Sequence, residues 1–221
     1  MTAATDAMTW PGKSNVVELE RSLPPACPGM RIGLFGGSFN PPHCGHRHIS
    51  EVALKRMQLH RIWWLVTPGN PLKDTSGLKE IAEREAAARK AADHPRMIVT
   101  GFERFLPTPY AIDTARFLRR RFAGVEFVWI MGGDNLATFH LWRDWRGLFE
   151  TLPIMVIDRP EARNQALASP AAQCYAGARL PESHAKMLPA LPAPAWIYAT
   201  APLRDVSSTE IRNRRGLQSL K

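Results

Sequence analysis

The sequence predicts a single α/β domain, built on a parallel sheet that helices cover on both faces. Short apolar runs alternate with longer helix-forming stretches, which is typical of parallel strands joined by crossover helices. The run over residues 125–131 is almost wholly apolar, as expected for a central strand buried on both faces. A glycine-rich segment over residues 36–46 lies between the first apolar run and the next helix. The expected architecture is a Rossmann-like, doubly wound parallel sheet.

The elements are expected in the following order. Residues 1–29 lack periodicity and end in a proline-rich stretch, which predicts a flexible N-terminal extension before the first strand. Apolar runs predict strands over residues 30–35, 61–67, 97–100, 125–131, 153–157 and 195–199. Amphipathic stretches predict helices over residues 49–57, 78–92, 110–122 and 207–215, with short helical pieces between 132 and 150. Residues 160–194 are rich in Ala and Pro and predict a loop with some helix.

The composition is that of a cytoplasmic globular protein. The chain has 221 residues, of which 45% are hydrophobic and 22% are charged, and no apolar stretch is long enough to cross a bilayer. The N-terminus carries Asp6, Glu18 and Glu20 without an apolar core region, so we expect no secretion signal. The three cysteines show no metal-binding spacing, which suits a reducing compartment.

A formal charge of +9 raises the hypothesis of a nucleic-acid partner. The sequence shows no zinc-ligand spacing, RNA-binding sheet signature or basic–aromatic repeat. A solvated basic helix face, with a field that attracts small anionic substrates, is the interpretation we favour. We therefore expect neither a nucleic-acid nor a membrane partner, while a homo-oligomer stays open. The arginine clusters are Arg119, Arg120 and Arg121, and Arg212, Arg214 and Arg215.

The segment that follows the first strand predicts a phosphate site. Gly36 and Gly37 allow the backbone to approach a ligand closely, and Ser38 and Phe39 complete the turn. His43 and His46, three residues apart, project onto one side of the helix entrance. A helix N-terminus presents N–H groups and a partial positive charge, and two imidazoles add donors for phosphate oxygens. The alternative is that both histidines only cap or pack the helix.

The run Gly-Gly-Ser-Phe-Asn-Pro-Pro-His-Cys-Gly-His resembles the phosphate-binding signature of the HxGH nucleotidyltransferase superfamily. Its long form is most similar to that of bacterial nicotinate-nucleotide adenylyltransferases. The resemblance covers roughly residues 30–216, and it implies that residues 30–221 form a nucleotidyltransferase domain. It also implies transfer of an adenylyl group from ATP to nicotinate mononucleotide, which yields deamido-NAD and pyrophosphate in NAD biosynthesis.

A second phosphate segment is expected near the end of the sequence. Ser207 and Ser208 open a helix, and Arg212 can reach phosphate through two N–H groups. The segment is similar to the family pattern I-S-S-T-x-I-R, with Val206 in place of isoleucine. An ordinary capping box is the alternative, because Glu210 follows Ser207 by three residues.

A third segment leaves the carboxyl end of the central strand, where ligands bind in open α/β sheets. Asp134 could accept hydrogen bonds from a ribose or an adenine amine. The family pattern has a tryptophan eight residues after this aspartate, and Trp142 stands at that spacing. The resemblance therefore implies that Trp142 contacts the nicotinate ring, whereas Trp145 is expected to pack.

Two further segments are expected to bind the mononucleotide. The stretch that contains Tyr110 and Ala111 resembles the family's S-Y-T-x-D-T, which helps to hold the nicotinate carboxylate. Ala111 replaces the threonine, so a backbone contact can remain but the hydroxyl contact cannot. In the loop over residues 68–73, Asn70 and Lys73 are candidate contacts, and both could equally be solvated loop residues.

The implied chemistry assigns catalysis to His43 and His46, with Mg²⁺ entering with ATP and no metal held by protein residues alone. Two alternatives remain. The chain could be another HxGH adenylyl- or cytidylyltransferase, such as the pantetheine-phosphate type. It could also be an RNA-binding protein with a relict nucleotide site.

Overall fold

In the computed structural model, residues 13–69, 77–158 and 162–201 are described. Their strands form one parallel sheet in the order β3-β2-β1-β4-β5-β7-β6. The strands are β1 Arg31–Gly37, β2 Arg61–Val66, β3 Met97–Thr100, β4 Glu126–Gly132, β5 Ile154–Ile157, β6 Arg179–Leu180 and β7 Trp196–Ala199. The helices are α1 Lys13–Ser22, α2 Cys44–Arg56, α3 Ile81–Ala92, α4 Ala111–Arg121, α5 Gly133–Thr138, α6 Trp145–Thr151, α7 Arg163–Leu167 and α8 Pro170–Cys174.

The order in which strands are added to the sheet reverses between β1 and β4. From β1 the chain proceeds outward to β2 and β3, and it then returns to place β4 on the other side of β1. In this register Phe35 of β1 lies opposite Trp64 of β2 and Ile130 of β4. Such a switch point is where a doubly wound sheet binds its ligand. The predicted parallel, doubly wound architecture is confirmed.

Each face of the sheet packs against its own helices. Trp63 and Trp64 are adjacent in β2 and fully buried, and they belong to different hydrophobic clusters because strand side chains alternate between faces. The cluster of Trp63 includes residues of α1, α4, α5, α6, α7 and α8. The cluster of Trp64 includes residues of α2 and α3. Both faces are therefore covered, and the strands can be apolar at almost every position.

The structure differs from the prediction over residues 13–29. Helix α1 lies within the segment that was expected to be a flexible extension. Leu19 is 2% exposed in the core, and the Ser22 carbonyl accepts a hydrogen bond from the Thr100 hydroxyl at 2.8 Å. Arg121 of α4 also pairs with Glu20 at 2.7 Å. A short helix with a single buried leucine shows little periodicity, so its packing could not be predicted from the sequence. Residues 1–12 lie outside the described residues.

The proline-rich stretch after β5 is more structured than a loop with some helix. It contains α7, α8 and the edge strand β6, which pairs Arg179 and Leu180 with the start of β7. Helix α2 begins at Cys44, five residues before its predicted start. The helix predicted over residues 207–215 lies outside the described residues. Among the described helices, none has the length and apolarity that a membrane span requires.

Candidate active site

The glycine-rich turn and the turn after β4 lie at the switch point. Gly36 and Gly37 end β1, and Asp134 lies exposed in the first turn of α5, immediately after β4. Because β1 and β4 are hydrogen-bonded neighbours, the two turns adjoin. A Cβ atom at Gly37 would meet the Phe39 ring at 3.3 Å, so a side chain there would require that ring to move by a few tenths of an ångström.

The two histidines cap α2 with each other. His43 is the N-cap residue, and its Nδ1 accepts the Gly45 N–H at 3.1 Å. The His43 N–H in turn donates to Nδ1 of His46 at 3.2 Å, and the two ring centroids lie 3.9 Å apart. Because each Nδ1 accepts a backbone N–H, each neutral ring carries its hydrogen on Nε2. The arrangement thus combines a helix cap with two Nε2 donors at the start of α2.

Aromatic packing holds His46 in place. Phe39 has a positive φ of 47°, a conformation that is costly for a bulky residue, and it is 1% exposed. Its ring stacks on Trp64 at 4.8 Å with an interplanar angle of 5°, and lies 4.9 Å from the His46 ring. The Trp64 indole N–H donates to Ser50, whose hydroxyl donates to the His46 carbonyl. Phe39 was predicted as part of the phosphate-binding turn; its buried side chain packs against His46, and its role toward phosphate stays a prediction.

Sequence reasoning missed Arg84 of α3. Its side chain is buried, and its guanidinium donates to the Ser38 carbonyl in the glycine-rich turn at 2.8 Å. The same guanidinium donates to the carbonyls of Thr67 and Pro68, which follow β2. In the sequence, Arg84 is one of several charged residues in an alanine-rich helix, and nothing in the pattern distinguishes it.

The residues expected near the nicotinate ring lie on two elements, the start of α4 and the loop between α5 and α6. Tyr110 is the N-cap residue of α4, and its side chain makes no capping hydrogen bond to the helix start that Ala111 opens. The guanidinium of Arg143, the neighbour of Trp142 in the chain, lies 4.6 Å from the centre of the Tyr110 ring. The Phe139 ring supports Trp142 at 5.0 Å. Arg143 was not predicted, and its position depends on the fold.

An ion pair fixes the loop that carries Trp142. Arg116 of α4 binds Asp144 at 2.8 Å, and Asp144 also caps α6 through the Gly147 N–H at 3.2 Å. Trp145 packs against Phe149 and Tyr175, as predicted. The loop between α5 and α6 is therefore joined to α4 at two points, by Arg143 at Tyr110 and by Asp144 at Arg116.

A buried carboxyl group lies beneath the start of α4. Glu103 is 4% exposed, and one of its oxygens accepts the Thr114 hydroxyl at 2.7 Å. Its other oxygen, Oε2, has no hydrogen-bond partner within the described part of the chain. Burial raises the pKa of Glu103 to about 7, and the bond from Thr114 opposes the rise. Sequence reasoning did not single out Glu103.

Five predicted site residues lie outside the described residues, namely Asn70, Lys73, Ser207, Ser208 and Arg212. Their roles stay predictions. Over the described ranges, no group of three His, Cys, Asp or Glu side chains could hold a metal ion.

The switch-point turn with two imidazoles at a helix start defines a nucleotide-binding α/β protein of the H-x-G-H class. A model of the cytidylyltransferase-like family matches residues 34–214. A protein of Bradyrhizobium sp., named a probable nicotinate-nucleotide adenylyltransferase, is 54% identical over 187 residues, which are 85% of this chain and 97% of the relative. A Methylorubrum extorquens protein of the same name is 51% identical over 84% of this chain and 100% of its own length. The chain belongs to the cytidylyltransferase-like family and, within it, to the nicotinate-nucleotide adenylyltransferases.

Solved structures support the fold at low sequence identity. The nicotinic acid mononucleotide adenylyltransferase of Plasmodium falciparum, complexed with APC, superimposes with a TM-score of 0.61 at 14% identity, over 83% of each chain. The same protein complexed with NaAD gives a TM-score of 0.60 at 16% identity, again over 83% of each chain.

Proposed function

We propose that this protein transfers the adenylyl group of ATP to nicotinate mononucleotide and releases pyrophosphate, the step of NAD biosynthesis that gives deamido-NAD. The observation that carries the proposal is the pair of imidazoles at the start of α2, each with Nδ1 bound to a backbone N–H. The names of the relatives that cover most of the chain support it.

The reaction needs positioning and charge stabilisation rather than a base. The mononucleotide phosphate has a second pKa of about 6, so it carries nearly two charges at neutral pH and is already a nucleophile. One of its oxygens attacks the α-phosphorus of ATP, and the bond to the bridging oxygen of the leaving pyrophosphate breaks. His46 Nε2, with His43 Nε2 beside it, would donate to the oxygens on which charge develops. Because Nδ1 is already bound, the ring cannot rotate without losing the helix cap.

ATP would enter with Mg²⁺. The ion prefers oxygen ligands and retains several waters, so the β- and γ-phosphate oxygens with water can supply its donors. When bound, the ion would neutralise charge on the triphosphate.

Preference for the acid over the amide would arise at the start of α4. The first N–H groups of α4 have no side-chain cap, and a helix N-terminus favours an anion. The Arg143 guanidinium over Tyr110 adds a full positive charge beside this helix start. The ring would lie against Trp142. A nicotinamide ring presents a neutral amide, whose NH₂ cannot accept from these donors.

A pyrophosphate-release assay tests the proposal. Wild-type protein with ATP and Mg²⁺ should release pyrophosphate with nicotinate mononucleotide, more slowly with nicotinamide mononucleotide, and not with pantetheine phosphate. His46→Ala should abolish most of the release, while His184→Ala, at an exposed position in a short 3₁₀ turn, should not. Release with pantetheine phosphate alone would favour the other transferase. Binding of RNA without release from any substrate would favour the nucleic-acid alternative.

A further inference from the structure

Arg84 is buried, yet its guanidinium faces backbone carbonyls instead of a carboxylate. It is 3% exposed. Nη1 donates to the carbonyls of Ser38 and Thr67 at 2.8 Å each, and Nη2 donates to that of Pro68 at 3.3 Å. Nε donates to the carbonyl of Lys79 at 2.8 Å. One side chain therefore joins three separate segments of backbone.

Burial of a charged guanidinium costs hydration free energy, which other contacts must offset. Burial lowers the pKa of Arg84, and the nearby charges of Glu80 and Glu85 oppose the fall. Glu85 itself pairs with Arg89 at 2.8 Å and with Arg104 at 3.1 Å. Guanidinium stays protonated in proteins, so its N–H groups need acceptors, and the carbonyls supply them. A packed apolar side chain would fill the same space, but it could not bind carbonyls of different segments.

The three segments meet at one end of the sheet. Ser38 follows β1 directly and belongs to the turn that leads to His43. Thr67 and Pro68 follow β2 directly, on the side of β1 away from β4. Lys79 precedes α3, the helix that carries Arg84. The guanidinium thus fixes the glycine-rich turn against the end of β2.

We propose that Arg84 is a positioning residue that holds the glycine-rich turn in the geometry of adenylyl transfer, an inference that rests on the proposed function. Reacting atoms must lie about 3–3.5 Å apart, and a misplacement of about 1 Å can cost about 10²-fold in rate. The Ser38 carbonyl is the only anchor of Arg84 within the turn among the described contacts. Loss of the planar fork should therefore loosen the turn at Ser38 while the sheet persists.

The test compares Arg84→Lys with Arg84→Gln and with Arg89→Lys as a matched control. Lysine keeps the charge but cannot reproduce the guanidinium fork, and glutamine removes the charge. Arg89 lies on the same helix, exposed, in a pair with Glu85. Arg84→Ala is not used as the main variant, because a cavity at this site could unfold the protein.

Two measurements are made on each folded variant. Hydrogen exchange followed by mass spectrometry should show faster exchange over residues 36–46 in both Arg84 variants, with β4 unchanged, and no effect in Arg89→Lys. Steady-state kinetics should show kcat lowered by about tenfold to a hundredfold, with KM for ATP changed far less. Equal losses with lysine and glutamine would assign the effect to geometry and support the proposal.

Wild-type kcat in Arg84→Lys would overturn the proposal, and so would unchanged exchange over residues 36–46. A change in KM for ATP with wild-type kcat would overturn it too. Failure of the proposed function is separately visible. In that case the wild-type protein would release no pyrophosphate with nicotinate mononucleotide, whatever the exchange data show for Arg84.

Discussion

Replacement of Glu103 by glutamine should change how the stability of the protein depends on pH. Glu103 is buried, accepts one hydrogen bond from Thr114, and has a pKa raised to about 7. In the unfolded chain the same carboxyl has its ordinary pKa of 4.5. Between these values the unfolded state releases a proton that the folded state retains. The free energy of unfolding therefore falls as the pH rises from about 4.5 through about 7.

The size of the effect follows from the two pKa values. At about 1.36 kcal/mol for each pKa unit, the difference between 4.5 and about 7 corresponds to about 3 kcal/mol. The stability is fully present below pH 4.5 and lost above pH 7. Glutamine keeps an oxygen that can accept from Thr114 and cannot ionise. Relative to the wild type, Glu103→Gln should therefore gain up to about 3 kcal/mol between acidic and mildly alkaline pH.

Urea denaturation at several pH values between 5 and 8 measures this gain. The difference between variant and wild type isolates Glu103, because other titrating groups contribute to both proteins. Glu83→Gln is the control, since Glu83 is exposed and forms a surface pair with Lys79 at 3.0 Å. A difference that stays constant from pH 5 to 8 would refute the reasoning, because Glu103 would then titrate alike in both states.

Four further outcomes are expected. His46→Ala should lower kcat by about 10²–10³ with little change in ATP affinity, and near-normal turnover of the folded variant would contradict the role of Nε2. Arg212→Lys should raise KM for pyrophosphate in the reverse reaction, because lysine cannot bind two oxygens in a plane; an unchanged KM would place Arg212 outside the site. Trp142→Ala should weaken nicotinate mononucleotide binding in calorimetry and spare ATP binding, so equal losses would count against the ring contact. Arg143→Gln should reduce the acid-over-amide preference, expected at about tenfold to a hundredfold in the wild type; an unaltered ratio of kcat/KM values would remove Arg143 from the pocket.

The strands and the glycine-rich turn could be predicted because the sequence patterns that specify them are local. The second strand was expected over residues 61–67 and spans Arg61–Val66, since a run of apolar residues buried on both faces needs no knowledge of its neighbours. The histidine pair was legible from its spacing within a strand–turn–helix context. The sequence left two alternatives open for these histidines, a helix cap and a ligand donor. The same side chains can serve both, because Nδ1 forms the cap and Nε2 is the donor.

The residues that support the site could not be predicted because their partners are distant in sequence. Arg84 binds a carbonyl 46 residues earlier and another 17 residues earlier, and a single arginine in an alanine-rich helix is normally solvated. Glu103 depends on Thr114, and Arg143 on Tyr110, in the same way. Helix α1 owes its place to Leu19 in the core and to Thr100 of β3. Tertiary contacts decided each of these features.

The mutual capping of His43 and His46 bears on how related sequences should be interpreted. An N-cap is worth about 0.5–2 kcal/mol to a fold, whether or not the protein catalyses anything. A descendant that had lost its chemistry would still gain this stability from both imidazoles, so selection for folding alone could preserve the pair. The H-x-G-H motif in a distant homologue would then indicate a capped helix start and would not by itself indicate an active enzyme. Asparagine at position 43, whose side-chain oxygen can also cap, would be the substitution that relaxed selection on catalysis first permits.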